Sequence, residues 1–345
     1  MTPLRPTPST SRLLLALAAG ALLVGCSAMG RTTDPAKVIR GPLASRNHHP
    51  VALTFLHPLP RRAATTSPGH WEVTAQGGYT SIFEVESAPG ERVNFDGEVA
   101  RASMRFRRGL SDRTDVEFEL AAVFASSGFL DQIIDSFHDL FGLPDQGRSS
   151  AEQDQYSMRM RRGGQRLYRL DEDELGLGDL PVILTHRVRD EGDGGPAVAV
   201  RMGVELPTGS QKMGYGNGGL DYGVGAILER SLGRWTFTGG IDWTQNAQPR
   251  SWERADVAAK DMAHVQSGVE YRWNDRVSLV GQLYWTSPMT RDFEVEEFSR
   301  EILDLSLGLA WGSADGPRWF AAFQEDLVAA TGPDFGLLGG VTWSF

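Results

Sequence analysis

The residues from Phe335 to the end of the chain alternate between two kinds of side chain, and this alternation constrains the fold more than any other feature. Apolar side chains stand at Phe335, Leu337, Val341, Trp343 and Phe345, with small or polar residues at most positions between them. Because a β-strand points successive side chains to opposite faces, this segment has one apolar and one polar face. A closed barrel in lipid needs such strands, with aromatic residues near the membrane interfaces.

Four other segments repeat the period of two. Their apolar sets alternate with charged, small or hydroxyl side chains, as in Val116 to Phe124, where Asp115, Glu117 and Glu119 occupy the other face. Because four separate segments share this alternation, we interpret all of them as β-strands of one sheet. The apolar sets run from Val116 to Phe124, Val198 to Leu206, Trp235 to Trp243 and Leu303 to Trp311.

Connections between these segments alternate in length. Short turns are predicted near 109–112, 190–195, 231–234, 273–276 and 313–317, with longer segments between them. In outer-membrane barrels short turns face the periplasm and long loops face outward. The count predicts an all-β, antiparallel transmembrane β-barrel of about 12 strands over residues 70–345. This count requires residues 155–168 to belong to a long insertion, 126–175, rather than to the wall. A soluble β-sandwich is the alternative, with its apolar face buried against a second sheet.

The start of the chain indicates export. A basic flank and an apolar run up to Val24 predict a signal peptide over residues 1–25. Leu23-Val24-Gly25-Cys26 resembles a bacterial lipobox, which makes Cys26 the expected lipid attachment site of a lipoprotein; cleavage near Ala28 is the alternative. Residues 26–69, rich in Pro, Arg, Ser and Thr, are interpreted as a periplasmic leader.

Composition excludes several classes of protein. Outside the signal peptide, no apolar run approaches the roughly 20 residues of a helical membrane span, so an inner-membrane helical protein is excluded. The net charge of −10 argues against a nucleic-acid partner. Cys26 is the single cysteine, so no internal disulfide can form. The sequence gives no reason to expect a metal or a cofactor.

The long insertion contains a segment with a different period. Apolar residues at helical spacing predict an amphipathic helix over 130–141, which Gly142 and Pro144 end. Such a helix is expected to pack on the rim or plug the lumen, or alternatively to act as a gate that contacts a ligand. Its candidate residues for gating or plugging are Leu130, Asp131, Ile134, Phe137, His138 and Phe141.

This region carries a family resemblance. Phe129-Leu130-Asp131, Ser136-Phe137-His138-Asp139 and Gly142-Leu143-Pro144, with the earlier Asp96-Gly97-Glu98, resemble the bacterial domain-of-unknown-function 3187 family. The resemblance extends from about Trp71 to Phe345. It implies an outer-membrane barrel and brings no established activity.

Charged side chains on the predicted inward faces are the other candidate site. Ions inside a barrel must be paired or hydrated. They are expected either to stiffen the wall as salt bridges or to line a permeation path. The candidate lumen-lining residues are Arg101, Arg105, Glu117, Glu119, Arg201, Glu205, Asp242, Glu270 and Arg272, and the inward set also includes Glu72, Glu229 and Asp304.

Three functions remain open from the sequence. The first is a small outer-membrane pore or transporter for a small solute, and the second is a non-conducting structural or interaction barrel. An outer-membrane lipid hydrolase is less favoured, because Ser136 and His138 diverge on one helix and cannot share a proton; no enzyme is therefore expected. The expected partners are outer-membrane lipid and the barrel-assembly machinery, which would contact the C-terminal strand ending at Phe345.

Overall fold

Strands form most of the structure. The computed structural model describes residues 40–130, 155–192, 194–290, 292–313, 316–328, 332 and 335–345. The strands are β1 (Trp71–Ala88), β2 (Glu91–Ser111), β3 (Thr114–Ser126), β4 (Ser157–Arg162), β5 (Gln165–Leu170), β6 (Leu175–Leu177), β7 (Leu180–Arg189), β8 (Ala197–Leu206), β9 (Asp221–Leu232), β10 (Trp235–Gln245), β11 (Met262–Arg272), β12 (Val277–Thr286), β13 (Ile302–Gly312), β14 (Arg318–Asp326) and β15 (Phe335–Ser344).

Twelve of these strands close into an antiparallel barrel. Strands β1, β2, β3 and β7 to β15 each pair with their neighbours in the ring. The ring closes where β15 pairs with β1, with Val73 opposite Trp343 and Tyr79 opposite Leu337. Closure leaves no free sheet edge in the wall. The predicted antiparallel barrel of twelve strands is confirmed.

Of the remaining strands, β4 and β5 belong to the long insertion, whereas β6 continues the position of β7 along β3. Strands β4 and β5 form a hairpin, and β4 extends the sheet along the upper part of β2, where Phe95 pairs with Met158. Strand β6 pairs with β3 and leads directly into β7. Residues 155–168 therefore lie outside the twelve-stranded ring, as the strand count required.

Side chains alternate across the wall. Leu120 and Ile241 on the outer face are 54% and 61% exposed, whereas the adjacent Glu119 and Asp242 are 4% and 3% exposed. The same alternation holds along β8 and β13. The polar face of each strand therefore lines the interior, and the apolar face covers the outside of the barrel.

The two ends of the barrel differ. Short turns join β2 to β3, β7 to β8, β9 to β10, β11 to β12 and β13 to β14 at the end that we call the short-turn end. The opposite end, the long-connection end, carries the insertions. Exposed tryptophans concentrate at the short-turn end, as in the aromatic girdles of membrane barrels. They are Trp235, Trp273, Trp311, Trp319 and Trp343.

Helical structure is minor within the described residues. It consists of one turn of α-helix, Arg250–Glu253, and 3-10 turns at Ala52–Thr54, Gln211–Met213 and Glu296–Ser299. None of the helices found there is both long and apolar enough to span a bilayer. The predicted helix 130–141 lies outside the described residues except for Leu130, so Asp131, Ile134, Phe137, His138 and Phe141 stay predictions.

Candidate functional site

Residues 40–67, here called the plug segment, run through the interior of the barrel. The segment starts at the short-turn end, where the backbone N–H of Arg40 donates to Glu270 over 3.0 Å. It turns at the long-connection end and returns until the backbone N–H of Thr66 donates to Asp115 over 3.0 Å. The interpretation of residues 26–69 as a periplasmic leader is corrected for residues 40–67, because their polar groups find partners on the inward face.

Side-chain contacts hold the plug segment along its whole path. Within the described chain it forms no strand pairing with the wall, and the isolated bridge between Pro68 and Gly109 lies just beyond it. Wall side chains instead donate to its backbone carbonyls. These contacts are Gln76 to Ala44 at 3.1 Å, Tyr284 to Pro58 at 2.8 Å and Arg201 to Leu59 at 2.6 Å.

The plug segment is cationic and the wall around it supplies the anions. Its sequence holds four arginines and no aspartate or glutamate. Three of its arginines lie against wall carboxylates that are almost fully buried. Buried ions are stable only when paired, so these contacts fix the position of the segment. The pairs are Arg46–Glu119 at 3.8 Å, Arg61–Asp115 at 3.0 Å and Arg62–Glu229 at 2.7 Å.

The predicted lumen-lining residues all occupy inward positions of wall strands. Arg101 binds Glu119 through two hydrogen bonds, of 2.8 and 3.1 Å. Arg201 binds Asp242 in the same two-pronged manner, at 2.5 and 2.6 Å. Ion pairs between wall residues therefore neutralise part of the charge on the inward face.

The other predicted residues meet the plug segment, the turns or the cavity. Glu270 accepts hydrogen bonds from the backbone of Arg40 and Gly41, while Arg272 donates to the carbonyl of Gly233. Arg105 lies 3.8 Å from Glu117, and Glu205 keeps one carboxylate oxygen without a hydrogen-bond partner among the described residues.

Three histidines of the plug segment are buried and neutral. Burial lowers the pKa of His48 to about 3, with the cations of Arg101 and Arg46 adding to the effect. Burial alone lowers the pKa of His49 to about 3, although its Nε2 lies 3.4 Å from Glu84. The pKa of His57 is also well below its ordinary value because of burial. At neutral pH these rings therefore add no charge to the lumen.

An apolar cluster covers the tip of the plug segment at the long-connection end. Phe55 packs edge-on against Trp252 at 5.7 Å, and His49 packs against Phe95 at 4.6 Å. The rest of this cluster comes from β4 and β5, from the adjoining parts of β1, β2, β3 and β11, and from the long connections. The plug segment thus occupies the lumen, and this cluster covers its long-connection end. The other members include Val51, Met158, Met160, Leu167, Tyr168, Phe293 and Phe298.

The start of the long insertion lies on the outside of the barrel. Leu130 packs with Phe335, Tyr79 and Phe323, whose side chains belong to the outward sets of their strands. Its backbone N–H and that of Phe129 donate to Glu98, an outward carboxylate that is only 1% exposed. Leu130 therefore lies outside the lumen.

One loop carboxylate anchors the connection between β8 and β9. Asp179 accepts hydrogen bonds from the backbone N–H groups of Gly209 at 2.7 Å and Asn217 at 3.3 Å. Burial raises its pKa to about 6, while these hydrogen bonds act in the opposite direction. The contact holds the connection against the chain that enters β7.

Comparison with known proteins places the fold in context. A family model described as a protein of unknown function (DUF3187) matches residues 22–345. The COG4313 outer membrane channel from Pseudomonas putida F1 is similar in structure, with a TM-score of 0.55 and 15% identity over 83% of this chain and 99% of that one. The search of curated proteins finds no match.

Other barrels are more distant. The NanC porin gives a TM-score of 0.46 at 9% identity, covering 78% of this chain and 97% of that one. The toluene transporter TodX of P. putida gives 0.34 at 9% identity, covering 86% and 92%. The likeness to the COG4313 channel, at 15% identity, shows the fold alone, and nothing further is drawn from these two barrels.

Proposed function

The chain belongs to the DUF3187 family, whose proteins have no assigned function, and from this premise we propose that it is an outer-membrane pore for a small solute that its own plug segment closes. The barrel wall pairs its strands without using the plug segment. The segment is held instead by ion pairs, by hydrogen bonds to side chains and by apolar packing, as at Phe55. Such contacts can be broken without opening the wall, and this observation carries the proposal.

The outer surface supports a location in the outer membrane. Half-exposed leucine, valine, methionine and isoleucine side chains cover the wall between the two ends, which suits contact with lipid. The short-turn end would then face the periplasm, where a lipid on Cys26 would tether the plug segment. The C-terminal strand ending at Phe345 would be the part that the barrel-assembly machinery contacts.

Electrical recording on three forms of the protein tests the proposal. The intact protein should be closed for most of the time, because the plug segment fills the lumen. Replacement of residues 40–67 by a flexible Gly/Ser linker should give stable conductance, since a barrel of twelve strands is wider than the eight-stranded barrels that side chains can fill.

A reversible cross-link provides the matched control. Ala63 of the plug segment and Ala199 of β8 lie in one buried cluster, so a disulfide between Ala63→Cys and Ala199→Cys, made with Cys26→Ser, would fix the segment to the wall. We expect electrical silence under oxidising conditions and brief openings after reduction. A conductance that neither the linker nor the cross-link changes would contradict gating by this segment.

The filled lumen also favours a second candidate, a non-conducting barrel whose long connections bind other molecules. In that case the linker variant would fold but stay electrically silent. Folding can be scored separately, because a folded membrane barrel resists unheated SDS and migrates differently from the boiled chain on a gel. A folded and silent linker variant would therefore select the second candidate.

A further inference from the structure

A cavity opens at the short-turn end between the two limbs of the plug segment and the wall. Its volume is about 300 Å³, and strands β1, β2, β14 and β15 form its wall side. Glu72 is the acidic side chain among its lining residues, whereas arginines reach it from both the plug segment and the wall. These arginines are Arg40, Arg61, Arg62, Arg105, Arg107 and Arg318.

The wall side of this cavity carries more cations than anions. Arg107 binds Glu72 at 2.7 Å and Glu117 at 2.5 Å, and Arg318 also donates to Glu72. Among the described residues, Glu117 is the carboxylate that lies within 4 Å of Arg105, at 3.8 Å, and Arg107 already binds that carboxylate. Three guanidinium groups therefore share two carboxylates.

Arg105 is the donor with unused capacity. A guanidinium group carries five N–H donors, yet Arg105 forms no hydrogen bond with the part of the chain that the structure describes. The side chain is 11% exposed, and it lines the cavity. An arginine inside a protein that lacks a close partner needs water or an anion to satisfy its donors.

The plug side of the cavity supplies further hydrogen-bond donors. Arg61 and Arg62 reach the cavity, although each is paired with a carboxylate of the wall. The hydroxyl of Thr66 lies along the same lining and can act as a donor, and Thr74 and Thr342, whose hydroxyls are bonded to each other at 2.9 Å, keep one further O–H between them. Guanidinium and hydroxyl donors around a small space are the usual surroundings of a bound carboxylate or phosphate.

We propose that this cavity binds a small solute through a carboxylate or phosphate group, with Arg105 as the main donor. The inference goes beyond the proposed pore, because the cavity exists while the plug segment is in place. A ligand there would contact arginines of both the plug segment and the wall. The affinity of the site for the anion would therefore depend on whether the plug segment is docked.

Calorimetry on the full-length protein in a nonionic detergent at low salt and neutral pH tests the site. The probes are inorganic phosphate, succinate and, below its micelle concentration, a short-chain phosphatidylglycerol. Saturable binding of any probe that weakens by about tenfold or more in Arg105→Gln supports the proposal, since charge-assisted hydrogen bonds are worth this much. Tighter binding of the lipid than of free phosphate would identify a headgroup as the source of the anion.

Arg108 supplies the matched control. It lies on the same strand as Arg105 but over the ring of Trp71, with its guanidinium carbon 5.3 Å from the ring centre. Arg108→Gln removes the same charge and should bind the probe normally, and Arg105→Lys should retain part of the affinity. Absence of saturable binding, or equal loss in both glutamine variants, would overturn the site. Neither result would change the outcome expected in the conductance recordings, so the proposed pore and the proposed binding site can fail separately.

Discussion

At the scale of single residues, a glycine allows two buried charges to meet across a strand. Arg201 on β8 and Asp242 on β10 both pair with Gly225 on the strand between them. Because Gly225 has no side chain, the guanidinium group reaches the carboxylate directly, at 2.5 Å. A Cβ at position 225 would lie 1.8 Å from an oxygen of Asp242. The pair therefore depends on a residue that carries no charge.

Gly225→Ala should lower the free energy of unfolding by about 3 kcal/mol, because the added methyl group overpacks the lumen and displaces a buried ion pair. Urea titration of the protein in detergent measures the change. Gly77→Ala is the control, since a Cβ there meets no atom within 4 Å, and it should alter stability by less than about 1 kcal/mol. Equal stability of the two variants would contradict this account of Gly225.

The sequence could predict part of this arrangement. A period of two assigns Arg201 and Asp242 to the inward face of their strands, and both are buried in the structure. Their pairing could not be predicted, because it depends on the register across two strand interfaces. A slip of one residue would turn each side chain to the other face. Residue pattern thus predicts the face, whereas partners follow only from strand register.

At the scale of elements, the plug segment is the part that sequence reasoning missed. Its composition, rich in proline and small polar residues, resembles a linker, and it contains no periodic pattern to show where it lies. One signal was present. The inward residues that the sequence identifies include eight acids against four arginines, and the plug segment carries four arginines without an acid. Because buried charges must be balanced inside a closed barrel, the surplus of acids on the wall could have suggested that the arginines of the plug segment lie among them.

The buried histidines make the plug segment sensitive to acid. A histidine outside the barrel has a pKa of about 6.5, whereas burial lowers the pKa of docked His48 and His49 to about 3. The released state therefore gains protons first as the pH falls. Docking is fully favoured above about pH 6.5 and weakens by about 1.4 kcal/mol per pH unit for each such histidine, down to about pH 3. The cations of Arg46 and Arg101 beside His48 oppose its protonation in place.

Open probability in bilayer recordings should accordingly rise as the pH falls from neutral to about 4.5. Replacement of His48, His49 and His57 together by asparagine, which stays neutral, should remove most of this rise. His70→Asn is the control, since His70 is exposed and lies just beyond the plug segment. If the triple variant opened with acid as readily as the original protein, titration of these histidines would not explain release.

At the scale of the whole molecule, the barrel could be predicted because repeated local patterns in the sequence specify it. Alternation, aromatic residues near strand ends and alternating connection lengths all indicate a closed antiparallel wall, and the pairing of β15 with β1 closes it. The cover at the long-connection end could not be predicted. Phe55, Trp252 and Phe298 come from distant parts of the chain and meet only in the folded structure.

In a membrane protein with this fold, lipid hydrocarbon covers the outer face of the barrel, and this contact can be tested. The protein without residues 1–25 should need detergent to stay folded and monodisperse, because its outer face is apolar. In vesicles of lipid with brominated acyl chains, a variant that keeps Trp311 as its single tryptophan should lose fluorescence, since that ring is 39% exposed on the wall. A variant that keeps only Trp252, 2% exposed within the cover, should keep its fluorescence. Equal quenching of the two, or a folded monomer in plain buffer, would mean that protein or water, rather than lipid, surrounds the barrel.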